Sequence, residues 1–418
     1  MIRTFLTSNK LFVGGACLVG ISLFMKQGVV SVAFILFCVI CLVNYKKDWT
    51  GQLKDRRLLL LPILLFGLYV IWSFVGGPPT DISSVVMKRA TLLLFPVCFL
   101  VTGKKISEKE FDWILAAFLA ACLVCSVFCY IPAFYNVIVN KSFVVHTVDR
   151  DYYYMAYIYL TDPVAIPPIY LSMMANMAVV IAVYTRINIA LKWRIFIVIY
   201  LSIFVILLSS KIGIVCLVGL IALYVFKVVK QKKLAIVTVL LLVTASVIGV
   251  FTVPFLKERF LGSLKFDYSQ QYGHLWNSNA YRMAVWSSAL ETIEENPVVG
   301  YGTGRGQAAL EDTYRKHNFV RGLEDSLNPH NEFLACMLDL GISGVIALVL
   351  MIAVPMVSKM KEGDWLTVQF LIIFLCYCLI EVILNRQKGV VFISFFYSLL
   401  LWYPTAKQPQ KSIFAQKF

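Results

Sequence analysis

The stretch LAIVTVLLLVTASVIGVFTV (residues 234–253) carries no charged residue, and the basic segment KVVKQKK (227–233) comes directly before it. A helix rises about 1.5 Å per residue, so about 20 apolar residues cross the ~30 Å hydrocarbon core of a bilayer. The stretch has this length, which predicts a transmembrane helix. Similar runs recur along the chain, so this kind of segment decides the fold class.

The composition extends the prediction to the whole chain. Of its 418 residues, 60% are apolar and 15% are charged, whereas soluble domains have about half and about a quarter. The apolar runs are continuous rather than alternating, which favours helices over barrel strands. We therefore predict an all-α, polytopic transmembrane helix bundle of about 12 spans. The spans are placed at 11–25, 28–44, 58–76, 84–102, 112–134, 166–185, 193–209, 212–229, 234–253, 340–358, 365–385 and 389–404.

Lysine and arginine in the short loops predict the orientation of the bundle. Both termini are basic, and with about 12 spans the basic loops all fall on the same side as the termini, so we expect that side to be cytoplasmic. The first run (11–25) is then a retained signal anchor, since no cleavage pattern follows it. The basic loops are 44–57, 103–110, 185–194, 227–233 and 358–363.

The opposite side carries the long connections. The segments 135–165 and 254–339 face outward in this topology, into the periplasm if the cell is Gram-negative. We predict spans one to nine in 1–253, a large periplasmic loop subdomain at 254–339, and spans ten to twelve with a cytoplasmic tail in 340–418. A connection as long as 254–339 is expected to carry function.

The charge and the cysteines exclude two function classes. The formal net charge is +15, but it is spread over short loops rather than gathered in one patch, which argues against nucleic-acid binding. The eleven cysteines lie in apolar stretches or at their edges. They are therefore interpreted as small apolar side chains rather than as redox or metal ligands.

The long outer loop contains one helical pattern, SNAYRMAVWSSALETIEENP (278–297). Ser278 or Asn279 is a candidate cap, and Asn296-Pro297 ends the pattern. We expect this amphipathic helix to lie along the membrane surface. Its predicted apolar face consists of Met283, Trp286, Ala289, Leu290 and Ile293.

Ionisable side chains inside spans are costly and are functional by default. In the predicted topology several come to the same outer level: Lys88, Arg89, Lys211, Glu381, Arg386 and Lys388. Arginine binds phosphate oxygens in a bidentate manner and lysine adds a point charge, so the cluster suits a diphosphate. The alternatives are that Lys88 or Lys388 reaches the headgroups as an ordinary helix-end lysine and that Glu381 pairs with Arg386.

LNPHNEFL (327–334) places one of four histidines directly before an apolar span. An imidazole titrates near neutral pH, so His330 can take a proton from an attacking hydroxyl. A lone histidine is more often structural, but the outer cations and Arg282 favour a catalytic role. Asn331 is interpreted as a partner that orients His330 or contacts a sugar hydroxyl. The other histidines, His146, His274 and His317, are interpreted as surface residues.

Two further patterns, one rich in glycine and one acidic, are weaker indications of a functional site. GYGTGRG (300–306) lacks the strand and the cytosolic βαβ unit of a dinucleotide site, so we predict a turn whose N–H groups could help to hold an anion. DRD (149–151) resembles the D-x-D of metal-dependent sugar transferases, but no second carboxylate cluster accompanies it, and we expect no metal.

At this point the sequence resembles the O-antigen ligase family of polytopic enzymes. The resemblance is strongest in YRMAVWSSALETIEENPVVGYGTGRG (281–306) and NPHNEFLACMLDLGISG (328–344). SSK (209–211) is similar to the family's Ser-Arg element at the outer start of a span. The family pattern is matched, in order, by Arg282, Trp286, Asn296-Pro297, Gly300, Gly302, His330-Asn331, Leu334, Gly341 and Gly344.

The resemblance implies an inner-membrane enzyme that moves a glycan from undecaprenyl diphosphate to an acceptor sugar, commonly on the lipid A core. The reaction takes place on the periplasmic face and uses no nucleotide, metal or other cofactor. By this resemblance the catalytic residues are His330, Arg282 and Lys211, with His330 as general base. Direct displacement predicts inversion at the anomeric carbon. The predicted diphosphate- or sugar-binding residues are Lys88, Arg89, Arg386, Asn331 and Glu381.

The sequence departs from the family pattern at two positions, and several alternative functions remain. Lys211 stands where the family has arginine, and Pro167 stands where relatives often have the histidine of a His-Pro pair. A repeat-unit polymerase or a protein O-oligosaccharyltransferase would use the same donor. A transporter or lipid flippase is less favoured, because transporters tend to show internal repeats and midplane charges, whereas these charges lie at the outer level.

Overall fold

The computed structural model describes residues 9–45, 56–75, 82–102, 106–147, 151–185, 189–261 and 278–403. The first part of this chain forms α1 (Asn9–Ser22), α2 (Gln27–Val43), α3 (Leu60–Trp72), α4 (Ile82–Arg89), α5 (Thr91–Val101), α6 (Glu108–Asn140), α7 (Tyr157–Thr161) and α8 (Pro168–Tyr184). Between α6 and α7, β1 (Val144–His146) pairs antiparallel with β2 (Asp151–Tyr153), with Val145 opposite Tyr152.

The second part is helical throughout its regular structure. It forms α9 (Leu191–Leu207), α10 (Lys211–Val228), α11 (Lys232–Thr252), α12 (Pro254–Leu261), α13 (Ser278–Glu295), α14 (Gly306–Lys316), α15 (Val320–Glu324), α16 (Glu332–Glu362), α17 (Trp365–Cys378) and α18 (Gln387–Trp402). Short 3-10 turns occupy Arg57–Leu59, Asp162–Val164 and Ile383–Asn385. The all-helical class is confirmed, with one small hairpin added.

Each of the predicted spans falls on one helix or on a pair of consecutive helices. Among the described residues, four helices are individually long and apolar enough to cross a bilayer, namely α6, α10, α11 and α16. A fifth span is possible if Tyr157–Val164 and Pro168–Tyr184 are one unit bent by 80°. The other apolar helices have 10–17 residues, so the count of about 12 spans stays a prediction.

The centre of the bundle is formed by α8 and α18. Pro168, Tyr170–Tyr184 and Lys388–Trp402 are all buried. By contrast, α11 buries only Ala235 and exposes leucine, isoleucine and valine around most of its circumference. A helix that is apolar all round and unburied in the protein is suited to contact with lipid.

A break in α16 ties the segment that contains α13, α14 and α15 to the bundle. Gly341 has φ 61°, outside the helical region. The turn after α13 docks into this break: Tyr301 and Gly302 donate their N–H groups to the carbonyls of Leu338 and Asp339, and Ile342 donates to Pro297 O. These bonds satisfy backbone groups that a broken helix would otherwise leave unpaired.

The same turn also contacts α3. The Trp72 indole donates to Val299 O over 2.7 Å, and Thr303 donates to Tyr69 O over 2.6 Å. Because the N–H groups of Tyr301, Gly302 and Thr303 all donate to protein carbonyls, they are not available to an anion. The predicted turn at 300–306 is confirmed, and these three N–H groups do not hold an anionic ligand. The Gly306 N–H donates to Asp339 Oδ1 over 3.1 Å, so the carboxylate that it holds belongs to the protein itself.

The helix predicted at 278–297 is present as α13, but its buried face differs from the prediction. Met283 and Leu290 are 40% and 54% exposed. Packing against α14 and α16 instead uses smaller side chains, which let the helix axes approach closely. The cap candidates Ser278 and Asn279 have side chains outside the described part. The buried side chains are Ala284, Val285, Ser288, Ala289, Thr292 and Ile293.

We predict that Gly341→Ala destabilises the protein by at least about 2 kcal/mol. A Cβ at this position would lie 2.2 Å from Val298 O, and its φ of 61° is unfavourable for alanine. The measurement is the midpoint of thermal unfolding of the detergent-purified chain. Gly219→Ala in α10 is the matched control, because nothing lies within 4 Å of its Cβ position. Equal midpoints for the two variants would contradict the docking of the turn.

Candidate functional site

The loop before α16 fixes the backbone on either side of His330. The Trp286 indole on α13 donates to Pro329 O over 2.8 Å, and the Tyr314 hydroxyl on α14 donates to Leu327 O over 3.0 Å. The N–H of His330 donates to Asn328 Oδ1 over 2.9 Å. His330 itself adopts a left-handed conformation with φ 45°. Non-glycine residues are held this way only when their surroundings enforce it, and such strain clusters at functional sites.

His330 faces a carboxylate. Its Nδ1 lies 3.5 Å from Glu381 Oε2, and the two side chains are 29% and 12% exposed. The other oxygen of Glu381 accepts the N–H of Val382 over 3.1 Å. At this distance the two groups form an ion-pair contact rather than a hydrogen bond, and catalytic hydrogen bonds often tighten only when substrate binds. A carboxylate at Nδ1 favours the tautomer in which Nε2 is the proton acceptor.

The alternative that Glu381 pairs with Arg386 was wrong. Among the described residues, the ion-pair partner of Glu381 is His330. The segment 379–387 turns after α17, so that Glu381 points toward α13 and α16 while Arg386 is exposed on the side of a cavity described below. Sequence spacing placed the two close together but could not give the direction of each side chain.

The segments that carry His330 and Glu381 are also joined by two further bonds. Asn331 Nδ2 donates to Leu379 O over 3.1 Å, and the Leu384 N–H donates to Glu332 Oε2 over 2.9 Å. The Oδ1 atom of Asn331 caps α16 by accepting the N–H groups of Phe333 and Leu334. Both ends of the Asn331 amide are thus used within the protein, which gives it a positioning role. Its predicted sugar contact stays a prediction.

Three cations gather beside the histidine and carboxylate. Lys211 begins α10, and its Nζ lies 6.0 Å from the Phe260 ring of α12. The charges of Arg259 and Arg282 both repel its ammonium group. Burial lowers the pKa of the Arg282 guanidinium, and the charge of Glu381 opposes that shift. Like charges brought together in a partly buried place favour binding of an anion.

Arg259 was missed by the sequence analysis. It lies in PFLKERFL (254–261), where charges of both signs gave the appearance of an ordinary loop. In the structure its guanidinium stacks on the Tyr157 ring at 3.7 Å, which is a cation–π contact. Tyr153 holds the same helix by donating its hydroxyl to Glu258 over 3.2 Å. Proline at the start of α12 was the one helix signal in this stretch.

Two of the predicted outer cations are enclosed within the bundle. Arg89 is 2% exposed, stacks on the Tyr69 ring at 4.2 Å and donates to Asn385 Oδ1 over 3.3 Å. The charges of Glu332 and Asp339 act on it. Lys388 is buried and donates to Leu23 O over 3.1 Å and to Met25 O. Such contacts give both residues a structural role, and diphosphate binding by Arg89 stays a prediction.

Lys88 and Arg386 are exposed and line one cavity of about 720 Å³. This cavity lies between α2, the junction of α4 and α5, and the start of α18. Its wall also includes Ser326 and Asn328 from the loop that leads to His330. The outer cations therefore form two groups rather than the single cluster that the sequence suggested.

The remaining candidates lie apart from this region. His146 pairs with Asp151 across the hairpin at 2.7 Å, and His317 pairs with Glu291 at 2.5 Å. Hydrogen bonds from Lys316 and His317 lower the pKa of Glu291. His274, and the Asp149 and Arg150 of the DRD pattern, are outside the described residues. In the described ranges no group of three or more His, Cys, Asp or Glu could hold a metal.

Residues 196–349 match the family model described as O-antigen ligase. A search of curated proteins finds no match. The matched segment includes Lys211, Arg259, Arg282 and His330, and it ends before Glu381. Residues 196–349 are thus similar to the O-antigen ligase family, and together with the apolar helices the match indicates a multi-pass membrane protein.

Proposed function

We propose that this chain is a glycosyltransferase that moves a glycan from undecaprenyl diphosphate to an acceptor sugar of the lipid A core. The observation that carries the proposal is the His330–Glu381 contact at 3.5 Å beside Lys211, Arg259 and Arg282. A base next to a set of cations is what transfer from a diphosphate requires. The family match supports the coarser assignment to ligase- or polymerase-type glycosyltransferases.

The proposed setting is the inner membrane of a bacterium, with about 12 spans and both termini in the cytoplasm. The basic short loops support this orientation. His330 then faces the periplasm at the water–membrane boundary. The exposed apolar side chains of α11 and α6 support a lipid environment around the bundle.

In the proposed mechanism His330 Nε2 accepts the proton of the acceptor hydroxyl. The hydroxyl oxygen forms a bond to the anomeric carbon of the donor sugar, while the bond from that carbon to the diphosphate oxygen breaks. The leaving diphosphate takes the electron pair, and the configuration at the anomeric carbon inverts. Glu381 stabilises the imidazolium, as the carboxylate of a catalytic triad does.

Lys211, Arg259 and Arg282 would hold the diphosphate. Negative charge grows on the leaving oxygen, and preorganised cations at that place lower the barrier. Lys211 supplies a point charge but no bidentate fork. The guanidinium of Arg259, held by Tyr157 within range of Lys211, would supply the fork that the Lys-for-Arg departure removes.

We predict that His330→Ala lowers the transfer rate by about 10²–10⁴-fold, because general-base catalysis contributes that much. Glu381→Gln should lower the rate less. The double variant should be no slower than His330→Ala alone, since residues that act as a unit are not additive. The measurement is glycan transfer in membranes at equal protein abundance.

His146→Ala is the control for this cycle, because the Nδ1 of His146, like that of His330, contacts a carboxylate, although the His146–Asp151 pair is exposed on the hairpin. It should transfer glycan at the rate of the natural chain. Near-normal turnover of His330→Ala, or fully additive losses in the double variant, would rule out the proposed base.

We predict that Arg259→Ala raises the KM for the donor about tenfold, which corresponds to the loss of one charge-assisted contact. Arg259→Lys should recover only part of it because the fork is lost. In an Arg259→Ala background, Lys211→Arg should restore donor binding, because it returns to the site a guanidinium that can bind phosphate in a bidentate manner. Steady-state kinetics with varied donor is the measurement. A donor KM that stays the same in every variant would remove these residues from the diphosphate site.

A further inference from the structure

The cavity lined by Lys88 and Arg386 has no role in the proposed transfer mechanism. It has a volume of about 720 Å³ and is lined by Asn385, Arg386 and Gln387 of segment 379–387 but not by Glu381. One part of its wall is apolar and the other is polar. The apolar part consists of Val30, Phe34, Ile35, Met87 and Val391, and the polar part includes Gln27, Ser31, Lys88, Gln307, Asn328, Asn385, Arg386 and Gln387.

The charged residues in the cavity wall favour an anionic ligand. Lys88 and Arg386 are both exposed, and the described residues that line the cavity include no carboxylate. Two cations that no described lining residue neutralises, at the proposed outer level of a membrane protein, run against the usual distribution of lysine and arginine. A phosphate group suits them, since arginine binds it through a fork and lysine through a mobile charge.

The amides of the wall add hydrogen-bond donors. Asn328 Oδ1 accepts the N–H of His330, and Asn385 Oδ1 accepts from Arg89. The oxygens of these two side chains therefore face the protein, and their NH₂ groups are the ends that can face a ligand. Amide groups next to cations suit a sugar that carries a phosphate.

The cavity opens toward lipid. Ile35 is 58% and Met87 is 73% exposed, although both line the cavity. Ile35 lies on the apolar helix α2, and Met87 lies on α4 directly before the apolar helix α5. The opening between α2 and α4 therefore faces the bilayer in the proposed topology. An amphiphile could place its headgroup at Lys88 and Arg386 and leave its acyl chains outside.

The cavity also adjoins the loop that positions His330. Asn328 lines the cavity, and its side chain accepts the backbone N–H of His330. A headgroup in the cavity would therefore lie next to the histidine on the side away from Lys211, Arg259 and Arg282. Transfer needs two substrates that approach one base from different directions, and the two groups of cations provide two places.

We propose that this cavity binds the phosphorylated sugar headgroup of the lipid acceptor, while Lys211, Arg259 and Arg282 hold the donor. The proposal rests on the proposed function for the naming of the two substrates. It assigns Lys88 and Arg386 to the acceptor rather than to the donor diphosphate.

The kinetic test uses the purified full chain with lipid A core as acceptor. Lys88→Gln and Arg386→Gln should each raise the KM for the acceptor about tenfold and leave the KM for the donor unchanged. Lys88→Arg keeps the charge and should restore acceptor binding. Lys361→Gln and Arg315→Gln are matched controls, because both residues are exposed and lie on other elements. A rise in the donor KM, or an unchanged acceptor KM, would overturn the assignment.

A binding test without donor separates this inference from the proposed function. The chain is mixed with phosphatidylcholine vesicles that contain either lipid A core or phosphatidylglycerol. Lipid A core should bind more tightly than phosphatidylglycerol, and Lys88→Gln should remove the difference. Such a result supports the site even if the natural chain transfers no glycan. Equal binding of the two lipids would assign the cavity to ordinary anionic phospholipid and overturn the acceptor.

Discussion

A helix that breaks inside an apolar bundle must find partners for the backbone groups that the break releases, and α16 does so at Gly341. The carbonyls of Leu338 and Asp339 accept from the turn after α13, and Ile342 donates to Pro297 O. An unpaired buried backbone group costs about as much as a lost hydrogen bond. This pairing therefore holds α13 on the bundle, and Trp286 of α13 in turn fixes the carbonyl next to His330.

The charged residues then divide by burial. Arg89 and Lys388 are enclosed and make protein contacts that hold the bundle together. Lys211, Arg259 and Arg282 are brought together although their charges repel. A folded chain keeps such an arrangement where a ligand of opposite charge binds. In our proposal the ligand is the donor diphosphate, and His330 lies between it and the acceptor in the cavity at Lys88 and Arg386.

The sequence predicted the helices well, because long apolar runs have one stable form in a bilayer. It also singled out His330, Arg282, Lys211 and Glu381, which the structure brings to one region. It could not divide the predicted outer cations into two groups. The position of a residue along a span gives its depth in the membrane but not the direction in which its side chain projects from the helix. Arg89 and Lys388 illustrate this, as both share the predicted depth but point into the bundle.

Other features depended on tertiary contacts. Met283 and Leu290 fit an amphipathic pattern, yet small residues such as Ala284 and Ser288 form the contact with α14 and α16. Arg259 is positioned by its contact with Tyr157 and by the bond from the hairpin to its neighbour Glu258, and both contacts join segments that are distant in sequence. The glycines at 300–306 were recognised as a turn, but their docking site at Gly341 was not, because nothing local in either stretch specifies the other.

The most direct test of the central claim is a cryo-electron microscopy structure of the full chain in a lipid nanodisc with an undecaprenyl-diphosphate-linked glycan bound. We predict that the diphosphate lies between Lys211, Arg259 and Arg282, with the anomeric carbon facing His330 and with the Lys88–Arg386 cavity free of donor. A diphosphate bound at Lys88 and Arg386, with His330 remote from the donor sugar, would contradict it.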